Sequence, residues 1–287
     1  MNNHQFQNPS YFELANGVRI PSIGYGTWKV SGQEATDIVK DAIDAGYRLI
    51  DTAAMYGNEK EIGTALAQCG VNREDLFITS KVVPQCRHYD QVIDACTRTL
   101  EDLGLDYLDL YLVHWPANAL NHPDDWNELN LETWRAMTDL YKQGKVRAIG
   151  VSNFIVHHLK PLMETEVPPM VDQIEFHPGW AQQDVVDYCQ KNGVLVEAWS
   201  PLGRTRVLQL PELEAIAREH NVSTAKVCLR YALQKNVLPL PKSTHIARMI
   251  DNMDVFGFTL TTTEMEQIDM LVNIGFSGHD PETYDDK

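Results

Sequence analysis

Basic residues are scarce in this chain: Lys and Arg number 24 against 40 Asp and Glu, a net charge of −16 over 287 residues. Such a surface repels a phosphate backbone and an anionic lipid face, so neither nucleic acid nor membrane is expected as a partner. Cysteine is sparse too. The five (Cys69, Cys86, Cys96, Cys189, Cys228) are odd in number and scattered, with no C-x-x-C pair. They are expected as reduced thiols, not a disulfide framework or zinc site, which points to a cytoplasmic protein. The opening MNNHQFQNPS has no basic or apolar leader region, and no run approaches roughly 18 apolar residues, so neither a signal peptide nor a spanning helix is expected. The sequon at Asn221 then has no glycosylating compartment, and Ser223 reads as a helix N-cap.

Several catalytic signatures are missing as well. There is no H-E-x-x-H and no G-x-S-x-G. Gly24-Tyr25-Gly26 lacks the third glycine of a Rossmann turn, so the Y-x-x-x-K matches at Tyr56 and Tyr231 stand without the partner that a short-chain dehydrogenase needs. Ser223 to Lys226 imitates S-x-x-K, but the S-D-N and K-T-G partners are absent and the residues suit a helix start. No metal is expected: His157 and His158 are adjacent on a helical stretch, where neighbours do not face each other.

What the chain does have is alternation. Asn16-Gly17 between short β-type runs is a type I′ hairpin signal. Strands are then expected near 23–26, 47–51, 77–81, 108–114, 146–151, 171–174, 195–199 and 237–240. Helices are expected near 33–45, 59–68, 91–103, 131–143, 155–163, 183–191 and 215–234, the last broken at Asn221, with two more near 247–253 and 262–272. Strand-then-helix units over about 250 residues, without a linker, predict an α/β fold. The expectation is one domain over 1–287, a (β/α)8 TIM barrel with an N-terminal β-hairpin and extra C-terminal helix, its rival on alternation alone being a doubly wound open sheet.

The ends of those strands carry the chemistry. Successive exits hold Thr27-Trp28, Asp51, Lys81, His114, Ser152-Asn153, Gln173, Trp199-Ser200 and Lys242-Ser243, where a barrel builds its active site. Singly, each has a bland account: Lys81 as a solvated lysine, His114 as a satisfied core histidine. Together, Asp51, Tyr56, Lys81 and His114 supply what carbonyl reduction needs. An ammonium about 4 Å from a phenol favours the phenolate by roughly 4 kcal/mol at an effective dielectric near 20, a ceiling of about three pKa units before burial opposes it. Asp51 would keep Lys81 charged, His114 would donate to the carbonyl oxygen, and Tyr56 would protonate it.

The segments GYGTW, IDTAAMYGNE, LFITSKV, YLDLYLVHWP, IGVSNF, VDQIEFHP, WSPLG and PKSTHIARMIDN resemble the aldo-keto reductase superfamily, in order and spacing, over nearly the whole chain. The resemblance implies that Asp51, Tyr56, Lys81 and His114 are a catalytic tetrad, and that NADPH/NADP+ lies extended over the barrel mouth. It further implies that Ser152, Asn153 and Gln173 hold the carboxamide and that Trp199 stacks on the nicotinamide. Ser200, Leu202 and Gly203 match the pyrophosphate loop, and Lys242, Ser243, Thr244, Arg248 and Asn252 the adenosine and 2′-phosphate end. Thr27, Trp28 and Asp51 join the cofactor contacts. Trp28 and Trp115 are expected as substrate walls beside Tyr56 and His114, with residues of the 117–130 loop. Asp251 stands where the family commonly has glutamate. The short ending after GFSGHDPETY is similar to bacterial reductases acting on diketo-gluconate, methylglyoxal and similar small carbonyls. A monomer reducing aldehydes or ketones (small dicarbonyls, keto-sugars or aromatic aldehydes) is therefore expected. The alternative is a non-catalytic nicotinamide-sensing barrel like a potassium-channel β subunit.

Overall fold

The computed structural model describes residues 10–32 and 34–285. Eight parallel strands run in chain order around the sheet: β3 (Tyr25–Gly26), β4 (Leu49–Asp51), β5 (Phe77–Val82), β6 (Leu110–Val113), β7 (Ile149–Ser152), β8 (Val171–Glu175), β9 (Leu195–Trp199) and β10 (Val237–Leu240). The amides of Gly24 and Gly26 donate to the carbonyls of Pro239 and Pro241 at 3.1 and 3.0 Å, joining the first strand to the last. A barrel strand is buried on both faces, which is why segments such as LYLV and VLPL read as unbroken apolar runs rather than as alternation. Every residue of β5, β6, β7, β8 and β10 is buried.

Helices α1 (Glu34–Asp44), α2 (Glu59–Gln68), α3 (Tyr89–Leu103), α4 (Trp126–Lys142), α5 (Val156–Met163), α6 (Gln183–Lys191), α7 (Pro211–His220) and α8 (Thr224–Gln234) surround the barrel. Two more, α9 (Ile246–Met253) and α10 (Thr262–Asp269), follow β10. The break at Asn221 is as expected: its φ of +53° ends α7 in a left-handed cap, and the Ser223 hydroxyl accepts from the Lys226 amide at 3.3 Å to open α8. Residue 33, the expected start of α1, lies outside the described residues. Among the described residues no helix is long and apolar enough to cross a membrane.

Three expectations need correction. β1 (Tyr11–Glu13) and β2 (Arg19–Pro21) do form an antiparallel hairpin, but its turn is not type I′. Only Gly17 takes positive φ, and the turn closes through its amide on the Leu14 carbonyl at 2.8 Å. Asn16 instead turns its amide onto the Arg147 carbonyl at 3.0 Å, pinning the hairpin to the barrel. Helix α4 begins at Trp126 rather than near 131, because Asn130 holds both backbone groups of Ala117, at 2.8 and 3.0 Å, and so folds the preceding residues into the helix. The adjacent His157 and His158 do face each other. Their ring centroids are 4.0 Å apart, gathered by Trp126, which meets both edge-on at 5.5 and 5.4 Å.

Packing between strands is tight at β7. A Cβ on Gly150 would stand 2.5 Å from the Val171 carbonyl oxygen and 2.9 Å from Leu112 Cδ2. Gly150→Ala should therefore destabilise the barrel by about 1–3 kcal/mol, as overpacking does. Chemical denaturation would read this; an unchanged midpoint would show that the strands have slack there.

Candidate active site

Asp51 closes β4 opposite Thr79, and Lys81 lies two residues further along β5 on the same face, so the strand register brings the two side chains within reach of each other. The fully buried Lys81 Nζ donates to Asp51 Oδ1 at 2.7 Å, Asp51 Oδ2 at 2.8 Å and the Thr52 carbonyl at 2.9 Å. It also stands 3.4 Å from the Tyr56 hydroxyl. Tyr56 ends a short 3-10 turn, Ala54–Tyr56, which Gly57 closes at φ +65°. Asn58 fixes that turn: it accepts from the Thr52 hydroxyl at 3.0 Å and donates to the carbonyls of Thr27 and Val30. The His114 ring meets Tyr56 edge-on, with centroids 5.7 Å apart. All four expected groups converge.

The electrostatics differ in one respect from the expectation. Burial raises the Tyr56 pKa more than the Lys81 charge lowers it, so the phenol is held protonated. For Lys81, burial pulls down while Asp51, Tyr56 and Glu197 pull up and prevail, so the ammonium keeps its charge. Burial, helped by Lys81, drives His114 well below the usual histidine range, leaving a neutral imidazole.

Behind this group lies a second network. Gln173 spends both amide hydrogens, donating at 2.8 Å to Asp51 Oδ2 and at 2.8 Å to Glu197 Oε2. Ser152 donates to the Gln173 carbonyl at 2.8 Å. Asn153, at φ +64°, donates to the His114 carbonyl and to Ser152 Oγ, and its own oxygen accepts from Trp199 Nε1 at 2.7 Å. The Trp199 ring is thus held in place by its indole N–H. Thr27 is fully buried, with its hydroxyl and amide both given to the Asp51 carbonyl at 3.0 Å.

The loop after β9 is unusual in its backbone. Ser200, Gly203, Arg204 and Thr205 all take positive φ, and a Cβ on Gly203 would meet Val207 Cγ1 at 2.9 Å. Leu202 is half-buried between them. Arg204 lies over Trp28 and Trp199, 4.7 and 5.8 Å from their rings, and so spans the mouth. Across the seam between β3 and β10, burial and then the Lys29 charge lower the Lys242 pKa, so the two cations lie near enough to repel. Ser243 is buried and accepts from the His245 amide at 3.0 Å, just ahead of α9, while Thr244 and Arg248 are exposed and Asn252 is buried. Asp251 turns away: its oxygens engage Ser223 at 2.7 Å and Lys226 at 3.2 Å.

One wall of the mouth comes from the C-terminal tail. Tyr284 stacks on Trp115 at 3.9 Å with ring planes 1° apart, and the Asn118 and Asn121 amides hold the Tyr284 carbonyl at 2.9 and 2.6 Å. His279 sits against Trp115 and Trp199 at 6.2 and 6.5 Å. Trp28 stays 39% exposed on the far side, so the opening is flanked by aromatics.

Residues 22–273 match the Aldo/keto reductase family. The chain belongs to that family. It is 49% identical to glyoxal reductase of Bacillus subtilis (strain 168) over 261 residues, 90% of this chain and 91% of that protein. It is 40% identical to the 9,11-endoperoxide prostaglandin H2 reductase of Trypanosoma cruzi, covering 94% of both chains. Among solved structures, an aldo/keto reductase from Brucella melitensis aligns at TM-score 0.85 with 40% identity, covering 92% of this chain and 100% of that one. A Bombyx mori aldo-keto reductase in complex with NADP aligns at TM-score 0.84 with 35% identity, over 93% of each chain. Like other members of the aldo/keto reductase family, this protein is an oxidoreductase on a (β/α)8 barrel.

Sequence reasoning passed over Lys29, Arg204, Glu197, His279 and Tyr284. Glu197 had a signal: it shares the period-2 face of Trp199 and is the one carboxylate in an otherwise apolar strand. Burial, then the Asp51 charge, push its carboxyl up from 4.5 to about 8. Folded protein therefore holds this proton across a range of pH in which unfolded chain has lost it, so stability falls as pH rises through that range. Glu197→Gln keeps the shape and the acceptor for Gln173 but cannot ionise. Its stability relative to the parent should climb between about pH 5 and pH 8, by up to about 1.4 kcal/mol per unit. Denaturation curves at several pH values would test this; parallel profiles for the two proteins would refute it.

Proposed function

We propose that the protein, as a single barrel domain, reduces the carbonyl group of aldehydes and ketones with NADPH, Tyr56 giving the proton. The observation that carries this reading is the contact of Lys81 Nζ with both Asp51 oxygens and the Tyr56 hydroxyl, beside a neutral His114. A phenol kept protonated by burial is a stored proton, and the ammonium beside it stabilises the phenolate left behind. Neutral His114 can give a hydrogen bond to the carbonyl oxygen and aid the build-up of negative charge there.

The residues fit a dinucleotide. Trp199 offers a fixed ring face, Gln173 keeps a carbonyl oxygen for a carboxamide, and Ser200, Leu202 and Gly203 form a tight loop above. Lys29 and Lys242 are a repulsive pair that an anion bound near both would relieve. When bound, the nicotinamide supplies a hydride to the carbonyl carbon. Small dicarbonyls lead the substrate classes, supported by the 49% identity to a glyoxal reductase and by the aromatic collar of Trp28, Trp115 and Tyr284. Keto-sugars and aromatic aldehydes are the other candidates. Tyr56→Phe should lower kcat by about 10²–10⁴-fold with glyoxal or 4-nitrobenzaldehyde, while NADPH binding, followed by its fluorescence, stays near normal. Retention of more than about a tenth of the activity would overturn the role of Tyr56, and a parent protein that binds NADPH without turnover would favour a cofactor-sensing barrel.

Lys242, Ser243, Thr244 and Arg248 would take the 2′-phosphate, the guanidinium through parallel hydrogen bonds. Asp251, engaged by Ser223 and Lys226, does not compete for a ribose hydroxyl. Arg248→Ala should weaken NADPH about tenfold to a hundredfold and leave NADH unchanged. Equal weakening of both dinucleotides would refute the assignment.

A further inference from the structure

We propose that His157, His158 and Glu282 form a binding site for a divalent transition-metal ion of the zinc type, fastening the C-terminal tail to α5. His157 and His158 lie in the first turn of α5, and Glu282 comes from the tail that carries Tyr284. Glu282 Oε1 stands 3.1 Å from His157 Nε2 and 3.6 Å from His158 Nε2, and the three ligand atoms lie within 4.8 Å of one another. Ligands about 2.1 Å from a tetrahedral ion are about 3.4 Å apart, so the spacing suits one ion with a position left for water.

Hydrogen bonding leaves part of the cluster unsatisfied. His158 is 1% exposed, and its Nε2 and Glu282 Oε1 are both buried with no hydrogen-bond partner. The two atoms are 3.6 Å apart, and although His157 Nε2 comes within ion-pair range of Glu282 Oε1 at 3.1 Å, it does nothing for His158 Nε2, whose burial without a partner is costly. A cation satisfies both atoms, accepting a lone pair from each. Two imidazoles and a carboxylate suit zinc, nickel or cobalt rather than calcium or magnesium, which prefer all-oxygen sets. Opposing this is the Ile155 amide, 3.5 Å from His158 Nδ1. Coordination through Nε2 moves the ring proton to Nδ1 and gives up that long contact, so the expected affinity is micromolar rather than nanomolar.

The test is calorimetric titration of Zn²⁺ into the full chain, with Ni²⁺ quenching of Trp126 as a local reporter. The expected result is one equivalent bound with a micromolar Kd. His157→Ala and Glu282→Gln should each weaken binding by about tenfold or more, and Trp126→Phe should remove much of the quenching without removing the binding. His158→Ala is avoided, because it opens a void in the interior. No binding up to about 1 mM, or binding that neither substitution weakens, would overturn the site; the second result would place the ion at the thiols or another histidine.

Discussion

The buried pair between Lys81 and Asp51 is the interaction on which the rest of the mouth depends. An ammonium has three hydrogens to give, and here the two carboxylate oxygens and the Thr52 carbonyl take them at 2.7, 2.8 and 2.9 Å. The contact with the Tyr56 hydroxyl, at 3.4 Å, is the long one. Lys81 therefore acts on Tyr56 mainly as a fixed charge, which fits the finding that burial outweighs it at the phenol. Taking either partner away would leave a charge stranded in the barrel, so the pair is held together by the cost of separating it as much as by its attraction. Gln173 extends the same constraint across the barrel to β8 and Glu197, and Ser152 and Asn153 tie it to β7 and Trp199.

Much of this arrangement was legible because barrel strands make two simple demands. They bury nearly every residue, and polar groups crowd toward the end where the chain leaves the barrel. Asp51, Lys81, His114, Ser152 and Asn153 lie at or just past such ends, Gln173 lies within β8, and their places on successive strands bring them together. The hairpin turn was misjudged because Asn16 makes a tertiary hydrogen bond to Arg147, which a local dipeptide rule cannot see. The start of α4 was missed for the same reason, since it depends on what Asn130 holds across the loop. For Tyr56 the sign of the net shift turned on how much water the fold removes, a quantity with no local signature.

The groups that escaped the sequence lie mostly on irregular backbone. Arg204 reaches Trp28 and Trp199 only because consecutive left-handed residues redirect the loop after β9. Tyr284 and His279 belong to a tail without periodicity, yet they finish the aromatic wall that Trp115 begins. Rigid strands set the reacting groups, while loops and tail shape what can approach them. That division explains why relatives with different named substrates can share one barrel.

The barrel closes where Gly24 and Gly26 meet Pro239 and Pro241, segments more than two hundred residues apart in the chain. Such a seam closes the longest loop in the fold, and every other strand pair can form before it. Lys29 follows the first strand and Lys242 the last, near enough that the charge of one lowers the pKa of the other. A phosphate between them would turn that repulsion into a clasp. A ligand that binds only the folded barrel there stabilises the seam along with the site, so the last contact the chain makes is also one that its ligand reinforces.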